Sequence, residues 1–339
     1  KLPGNRMEFR IALGTAVLGA AALAAYMVYR STSDTQEDVL LKLPANPQSL
    51  ADFEYQIDPN GVLRHSTTGE TFKFIDQPHY VALGEQLQKD LVQMMVSDYK
   101  LKLMHLPIGA KSDEPRIPIY HTENLATSNK ILVIVQSCGG RRPETVGLWS
   151  RSLCIQVDIK TGTIFSYLKE AEQRGYAVIV LNPNANSVKV NGTDVPVPEN
   201  DTPTNHLLYV WDNILSKAKA SHIFFMAHSL GGPVVVELLK QRADALDRIS
   251  RCAFASSVHT ISPEDKQNVK FLNFIQRRTR NWVKSLNDID EYVNDQYTES
   301  TGCPCVSSGQ MKQDLVPPTI MASAFNFFED PKPYDEQQQ

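Results

Sequence analysis

His222-Ile-Phe-Phe-Met-Ala-His-Ser-Leu-Gly-Gly-Pro-Val-Val-Val-Glu-Leu-Leu-Lys-Gln241 is the stretch on which the fold turns. His222 to Ala227 is a short, nearly continuous apolar run, as expected of a strand buried on both faces of a parallel sheet. Pro233 to Arg242 carries the apolar spacing of a helix. Between them, Ala227-His228-Ser229-Leu230-Gly231-Gly232 fits the pattern small-x-Ser-x-Gly, a sharp strand-to-helix turn that leaves a serine Oγ exposed. Small residues two before and two after the serine are needed because the turn is so tight. The bare pattern arises readily by chance, and the strand before it and the helix behind it give it weight.

Working outward, Lys130 to Gln136 and Tyr176 to Asn182 are apolar runs of the same kind, and Arg251 to Val258 is a weaker fourth. Helical spacing at Phe165–Arg174, Leu207–Ala220 and Gly231–Arg242 separates them, which gives β-α-β-α-β-α-β order and a mostly parallel sheet with flanking helices. Together with the serine turn, this order predicts an α/β class, α/β-hydrolase-like fold. An N-terminal β-hairpin is expected first, with Phe53–Ile57 and Val62–His65 around Asp58-Pro59-Asn60-Gly61, and then a helix over Tyr80–Tyr99. A helix near Thr319–Phe328 closes a domain spanning 51–330. Residues 31–50 read as a polar linker and 331–339 as a polar tail.

With 38 acidic against 34 basic residues in 339, the net charge is −4, and 42% of residues are hydrophobic. That composition excludes collagen-like, coiled-coil and wholly disordered chains, and nothing in it points to direct nucleic-acid binding. The five cysteines, at 138, 154, 252, 303 and 305, are too few for a disulfide scaffold and lack the C-x-x-C spacing of a closed zinc site, so no metal and no cofactor are expected. Cys303-Pro304-Cys305 is the close pair. Ordinary thiols are the expectation there, with disulfide use or metal binding as alternatives.

Ile11 to Tyr29 is a run of nineteen uncharged, mostly apolar residues between Arg10 and Arg30, just long enough to span a bilayer. Residues 1–30 therefore read as a signal peptide, cleaved near Ala22-Leu23-Ala24, or as a signal anchor holding the protein to a membrane. Lys1, Arg6 and Arg10 precede the run, which predicts a cytosolic N-terminus and a luminal body. The protein would then be a resident of the endoplasmic reticulum, secreted, or a single-pass membrane protein. Two sequons, at Asn191 and Asn200, are glycosylation candidates on that reading.

A serine needs a base, itself oriented by a carboxylate, to become a nucleophile, and in this fold the order is Ser, Asp/Glu, His. Histidines stand at 65, 79, 105, 121, 206, 222, 228 and 259, so 260–339 contain none. His259 is the one histidine after the turn left to serve Ser229 as base, and Glu264 and Asp265 could orient it only in inverted order. An oxyanion hole would take the amide of Leu230 and one from the loop Gln136-Ser137-Cys138-Gly139-Gly140-Arg141-Arg142, with Gly139 the candidate. Cys138 has no assignable base.

Several blocks together resemble the Argonaute-binding-protein-two domain family, whose animal members are called cotranscriptional regulators. They are Phe53-Glu-Tyr, Gly61-x-Leu63-Arg64-His65, Thr68-Gly69-Glu70, Gly175-Tyr176 through Asn182-Pro183-Asn184, and Ala227-His228-Ser229-x-Gly231-Gly232. The likeness runs from about Phe53 to Phe328. It implies an α/β-hydrolase-like fold with Ser229 as candidate nucleophile, and associations with Argonaute binding, small-RNA silencing, heterochromatin and splicing. The chain departs from the family pattern at three places. Gln136-Ser137-Cys138-Gly139 stands for His-Gly-Ser-Gly, Ser256 for the Asp of Asp-Ser-Val-His, and Gln313 for the His of His-Glu-Leu. The resemblance thus implies a degenerate paralogue. Two functions are compatible with it: a pseudo-hydrolase serving as an interaction module, with a protein partner that the resemblance makes Argonaute-type, or an active serine esterase or amidase using Ser229 with His259. The family offers nucleus and cytoplasm as the alternative to the secretory pathway.

Overall fold

The structure, a computed structural model, describes residues 44, 47–137, 146–293 and 295–330. The apolar run Ile11–Tyr29, Cys138 to Thr145 and the tail 331–339 lie outside the described residues.

The chain enters through a hairpin, β1 (Tyr55–Ile57) and β2 (Leu63–His65), as its Asn-Gly turn predicts. Asp58 closes that turn by accepting from the amides of Asn60 and Val62 and from Arg64 Nε at 2.7 Å. Helix α1 (Gln77–Ser97) comes next, started by Asp76, whose side chain accepts from the His79 amide. Its Leu83, Leu87, Leu91 and Met95 are buried along one stripe.

The rest of the domain hangs on one eight-stranded sheet. In chain order the elements are β3 (Lys102–Leu106), β4 (Ile117–His121), β5 (Lys130–Val135), α2 (Phe165–Gln173), β6 (Ala177–Val180), a small exposed hairpin β7 (Ser187–Val190) and β8 (Thr193–Pro196), and α3 (Pro203–Val210). After them come β9 (His222–His228), α4 (Gly231–Gln241), β10 (Ile249–Ala255), α5 (Val269–Arg277), β11 (Thr279–Val283), β12 (Cys305–Ser307) and α6 (Met321–Glu329). The spatial order is β12-β11-β10-β9-β5-β6-β4-β3. β4 runs against both its neighbours and the other strands are parallel.

Strand alternation divides the core into two layers. Leu132 and Ile134 of β5, with Phe224 and Met226 of β9, face the layer covered by α1, α2 and α6. Ile131, Val133 and Val135, with Phe225 and Ala227, face α3, α4 and α5. Because both faces are covered, the strands read as continuous apolar runs rather than alternating ones. The predicted helix Leu207–Ala220 is shorter and earlier: α3 begins at Pro203 behind the Thr202 cap, and its last turn widens into π geometry over Trp211–Leu215.

Candidate active site

β9 and β5 are central strands, so the turn at the end of β9 is presented at the middle of the sheet's C-terminal edge. Ser229 sits there in the left-handed region, with φ +51, its amide donating to Ala255 O at 2.9 Å. The two glycines are dictated by space. A Cβ on Gly231 would lie 2.5 Å from Val135 O and 2.9 Å from Gln136 O, and one on Gly232 would meet Ser257 Oγ at 1.8 Å. This is the strained elbow geometry that the sequence predicts.

The partner of Ser229 is Gln313, whose Nε2 donates to Ser229 Oγ at 2.5 Å across 84 residues of sequence. Gln313 lies in a short turn after β12, fixed by its neighbour: Asp314 accepts from Ser150 Oγ at 2.7 Å, and Ser150 also caps the short helix Arg151–Gln156. A neutral amide accepts no proton at physiological pH, so the group in contact with the serine oxygen is not a base.

His259, expected as the available base, is spent elsewhere. It is buried against Phe254, its Nδ1 is 2.6 Å from Ser257 Oγ, and its Nε2 is 3.8 Å from Cys303 Sγ. Burial holds its pKa down to about 4, so it is neutral. Asp265, considered as its orienting acid, pairs instead with Lys240 at 2.7 Å. His228 packs edge-on against Trp149 with ring centroids 6.0 Å apart, and burial lowers it to about 4 against the opposing pull of the Asp314 carboxylate and the Gln313 backbone. Ser256 also has positive φ, +49, and its buried Oγ has no hydrogen-bond partner among the described residues.

Leu230, the expected oxyanion amide, caps α4 directly after the serine. Gly139, its expected complement, lies outside the described residues. Gln136 directly follows β5, buried beneath Gly231. Asn184 Nδ2 holds Ser137 O at 2.9 Å. The Asn-Pro-Asn block has a second structural duty: His206 Nε2 accepts from the Asn182 amide, and His206 Nδ1 is 2.9 Å from Asn200 Oδ1. Trp149, Ser150 and Asp314, which seat Gln313 and His228, carry no motif that the sequence could announce.

Asn200 does not suit a glycan, for its side chain is fully buried and bonded to Pro198 O as well as His206. Asn191 is at the exposed tip joining β7 to β8.

The Arb2 domain model matches residues 46–289. The chain belongs to the Arb2 domain family. It is 32% identical to "Cotranscriptional regulator ARB2A homolog" of Xenopus tropicalis, over 84% of this chain and 80% of that one. It is 30% identical to the Homo sapiens "Cotranscriptional regulator ARB2A" over 83% and 80%. Among solved structures, "A histone deacetylase from Saccharomyces cerevisiae" is similar at 12% identity and a TM-score of 0.49, over 75% of this chain and 100% of that one.

These relatives correct the secretory reading of the N-terminal run. They are named for work coupled to transcription, which conflicts with a signal peptide, a transmembrane or secreted protein, or residence in the endoplasmic reticulum, and favours the nuclear and cytoplasmic alternative. No helix among the described residues is long and apolar enough to cross a membrane.

Proposed function

We propose that this Arb2 domain is a non-catalytic interaction module, an α/β-hydrolase fold whose nucleophile position has been disarmed, acting with protein partners in transcription-coupled regulation. The observation that carries this reading is Gln313 on Ser229 Oγ. It occupies the base's contact with an amide, while a hydroxyl, that of Ser256, stands where the family has its carboxylate. In catalytic units of this kind, loss of the base costs about 10⁶ in turnover. The alternative, an esterase or amidase working through His259, is disfavoured by that imidazole's bonds to Ser257 and Cys303.

An interaction role draws support from the surface around Ser229. Leu230, Leu286 and Met311, in the segments after β9, β11 and β12, are 40%, 78% and 57% exposed at the same end of the sheet. Exposed apolar groups gathered at one place are the usual mark of a protein contact. The net charge of −4 supports a protein rather than direct nucleic acid as partner. By the family resemblance the partner is of Argonaute type. The test is a fluorophosphonate probe applied beside an active serine hydrolase. The expected outcome is no adduct at Ser229 under conditions that label the control fully, and a stoichiometric Ser229 adduct overturns the reading.

A further inference from the structure

The elbow stands at the C-terminal edge of the parallel strands, and the opposite edge holds a second concave feature. Tyr176 leads into β6 there, Tyr99 and Leu101 lie between α1 and β3, and Thr122 follows β4. Together they bound a cleft of about 550 Å³, a size usual for small-ligand sites. Its body is apolar, with Leu101, Leu168 and Val178 beside the rings of Tyr99 and Tyr176. Tyr99 is braced by stacking on Phe165, with ring centroids 4.6 Å apart. Its hydroxyl has no hydrogen-bond partner among the described residues, which leaves an oxygen to accept from a ligand.

Negative charge collects at the same cleft. Glu172, in the last turn of α2, and Glu123, in the short turn Glu123–Ala126 after β4, both line it. Glu172 has no ion pair and no side-chain hydrogen bond among the described residues, and Glu123 reaches only Lys102, at 3.9 Å with both side chains exposed. The carbonyls at a helix C-terminus add a partial negative charge, which cations in the last turn ordinarily offset. Both α1 and α2 end beside this cleft, and neither has a basic residue in its last turn. Lys100, the lining cation among the described residues, turns back to donate to Ser97 O and so answers α1. Arg174, the C-cap of α2, gives its charge to Glu170 at 2.6 Å and Glu329 at 2.7 Å. Glu172 is thus a carboxylate at the negative end of a helix, an unfavourable placement that a bound cation would relieve. A bare metal ion does not suit apolar walls, and no group of three metal-ligating side chains occurs among the described residues. The ligand that matches joins an aliphatic stem to a charged head.

We propose that this cleft recognises an alkylammonium group, the chemistry of a lysine side chain and of a free aliphatic amine. The stem lies along Leu101, Leu168 and Val178, and the ammonium sits at Glu172 and the Tyr99 hydroxyl, with the aromatic walls adding their attraction for a cation. Glu123 draws the charge toward the mouth. Ser229 takes no part, so the cleft is a second site that stands or falls apart from the elbow.

The test titrates the full chain at low salt by calorimetry and ligand-observed NMR. Its probes are Nα-acetyl-lysine amide, pentylammonium, and Nα-acetyl-norleucine amide, which keeps the aliphatic stem and lacks the charge. Both ammonium probes should saturate one site, the norleucine probe should not bind, and added salt should weaken binding several-fold. Glu172→Gln should also weaken it several-fold and, with Glu123→Gln added, further still. Both carboxylates are exposed, so these variants should melt no lower than wild type, which separates lost recognition from lost folding. Tighter binding of the lysine amide than of pentylammonium would assign a protein side chain as the natural ligand, and the reverse order a free amine. Failure of both ammonium probes to saturate, equal binding of the norleucine probe, or affinity unchanged in the folded double variant would each overturn the proposal.

Discussion

Replacing Gly231 by Ala adds one methyl group at the start of a helix, a change that ordinarily gains up to about 1 kcal/mol. Here the new Cβ would lie 2.5 Å from Val135 O, against about 3.4 Å for ordinary contact, so something must retreat by about 0.9 Å (3.4 − 2.5). What must retreat is backbone of β5, hydrogen-bonded to β6 on one side and β9 on the other. Overpacking against a rigid neighbour costs about 1–3 kcal/mol, and the tilt of the elbow adds to it, so the net expectation is a loss of about 2 kcal/mol or more. For a domain of this size that is a fall of about 4–8 °C in Tm. Gly84 supplies the control: in mid-α1 its Cβ would meet Arg151 Cδ at 2.6 Å, an equally short contact but with a flexible side chain. Gly84→Ala should stay within about 1 kcal/mol of wild type. Both variants are read by thermal melts and urea midpoints. A Gly231→Ala protein that melts with wild type, or a Gly84→Ala protein that falls as far, would refute the assignment of the cost to the β5 backbone.

Other outcomes are expected from the same geometry. Ser229→Ala should change stability by about 1 kcal/mol or less by urea unfolding, since it loses one hydrogen bond with Gln313 and keeps the small residue the turn requires. Wild type should hydrolyse short activated esters negligibly, whereas Gln313→His with Ser256→Asp should raise turnover well above either single change, and adding Ser229→Ala should remove the gain; an inactive double variant that folds normally would count against the disarmed-triad account. His206, His228 and His259 have folded pKa values of about 3, 4 and 4 against an ordinary value near 6.5. Their neutral forms are the folded ones, so stability is full above about pH 6.5 and falls as pH drops toward 4, by about 2 kcal/mol for each histidine at pH 5 (1.5 units at 1.36). Urea midpoints that stay flat from pH 7 to 5 would contradict this. Leu286→Asp with Met311→Asp should reduce recovery of a protein partner several-fold without moving Tm by more than the scatter, because both side chains are exposed.

Sequence alone exposed the parallel centre of the sheet because β5, β6 and β9 are buried on both faces and read as unbroken apolar runs. It did not expose β3 and β4, the last two strands on one side of the sheet, where Lys102, Pro118 and His121 interrupt the apolar residues. Three-residue β12 is too short to carry any period. Ser229 was legible because the elbow constrains four neighbouring positions at once. Gln313 was legible only by its place in the family pattern, since a glutamine beside an aspartate announces nothing, and its contact spans 84 residues of sequence. His259 shows the converse: being the sole histidine after the serine turn says nothing about which way a buried ring turns. Ile11–Tyr29 misled because apolar length is a local property, whereas the compartment is a property of the whole protein.

The spacing of the elbow has a practical corollary for engineering. Gly231 and Gly232 answer to Val135 and Ser257, which belong to the scaffold. Position 229 answers to neither, and its left-handed backbone is one that Asn and Asp adopt readily. A designer could therefore exchange the side chain at 229 freely among short polar groups to install a new ligand contact, while treating 231 and 232 as immutable. A Ser-x-Gly-Gly signature set between a strand and a helix would, by the same token, report a tight turn before it reports an enzyme.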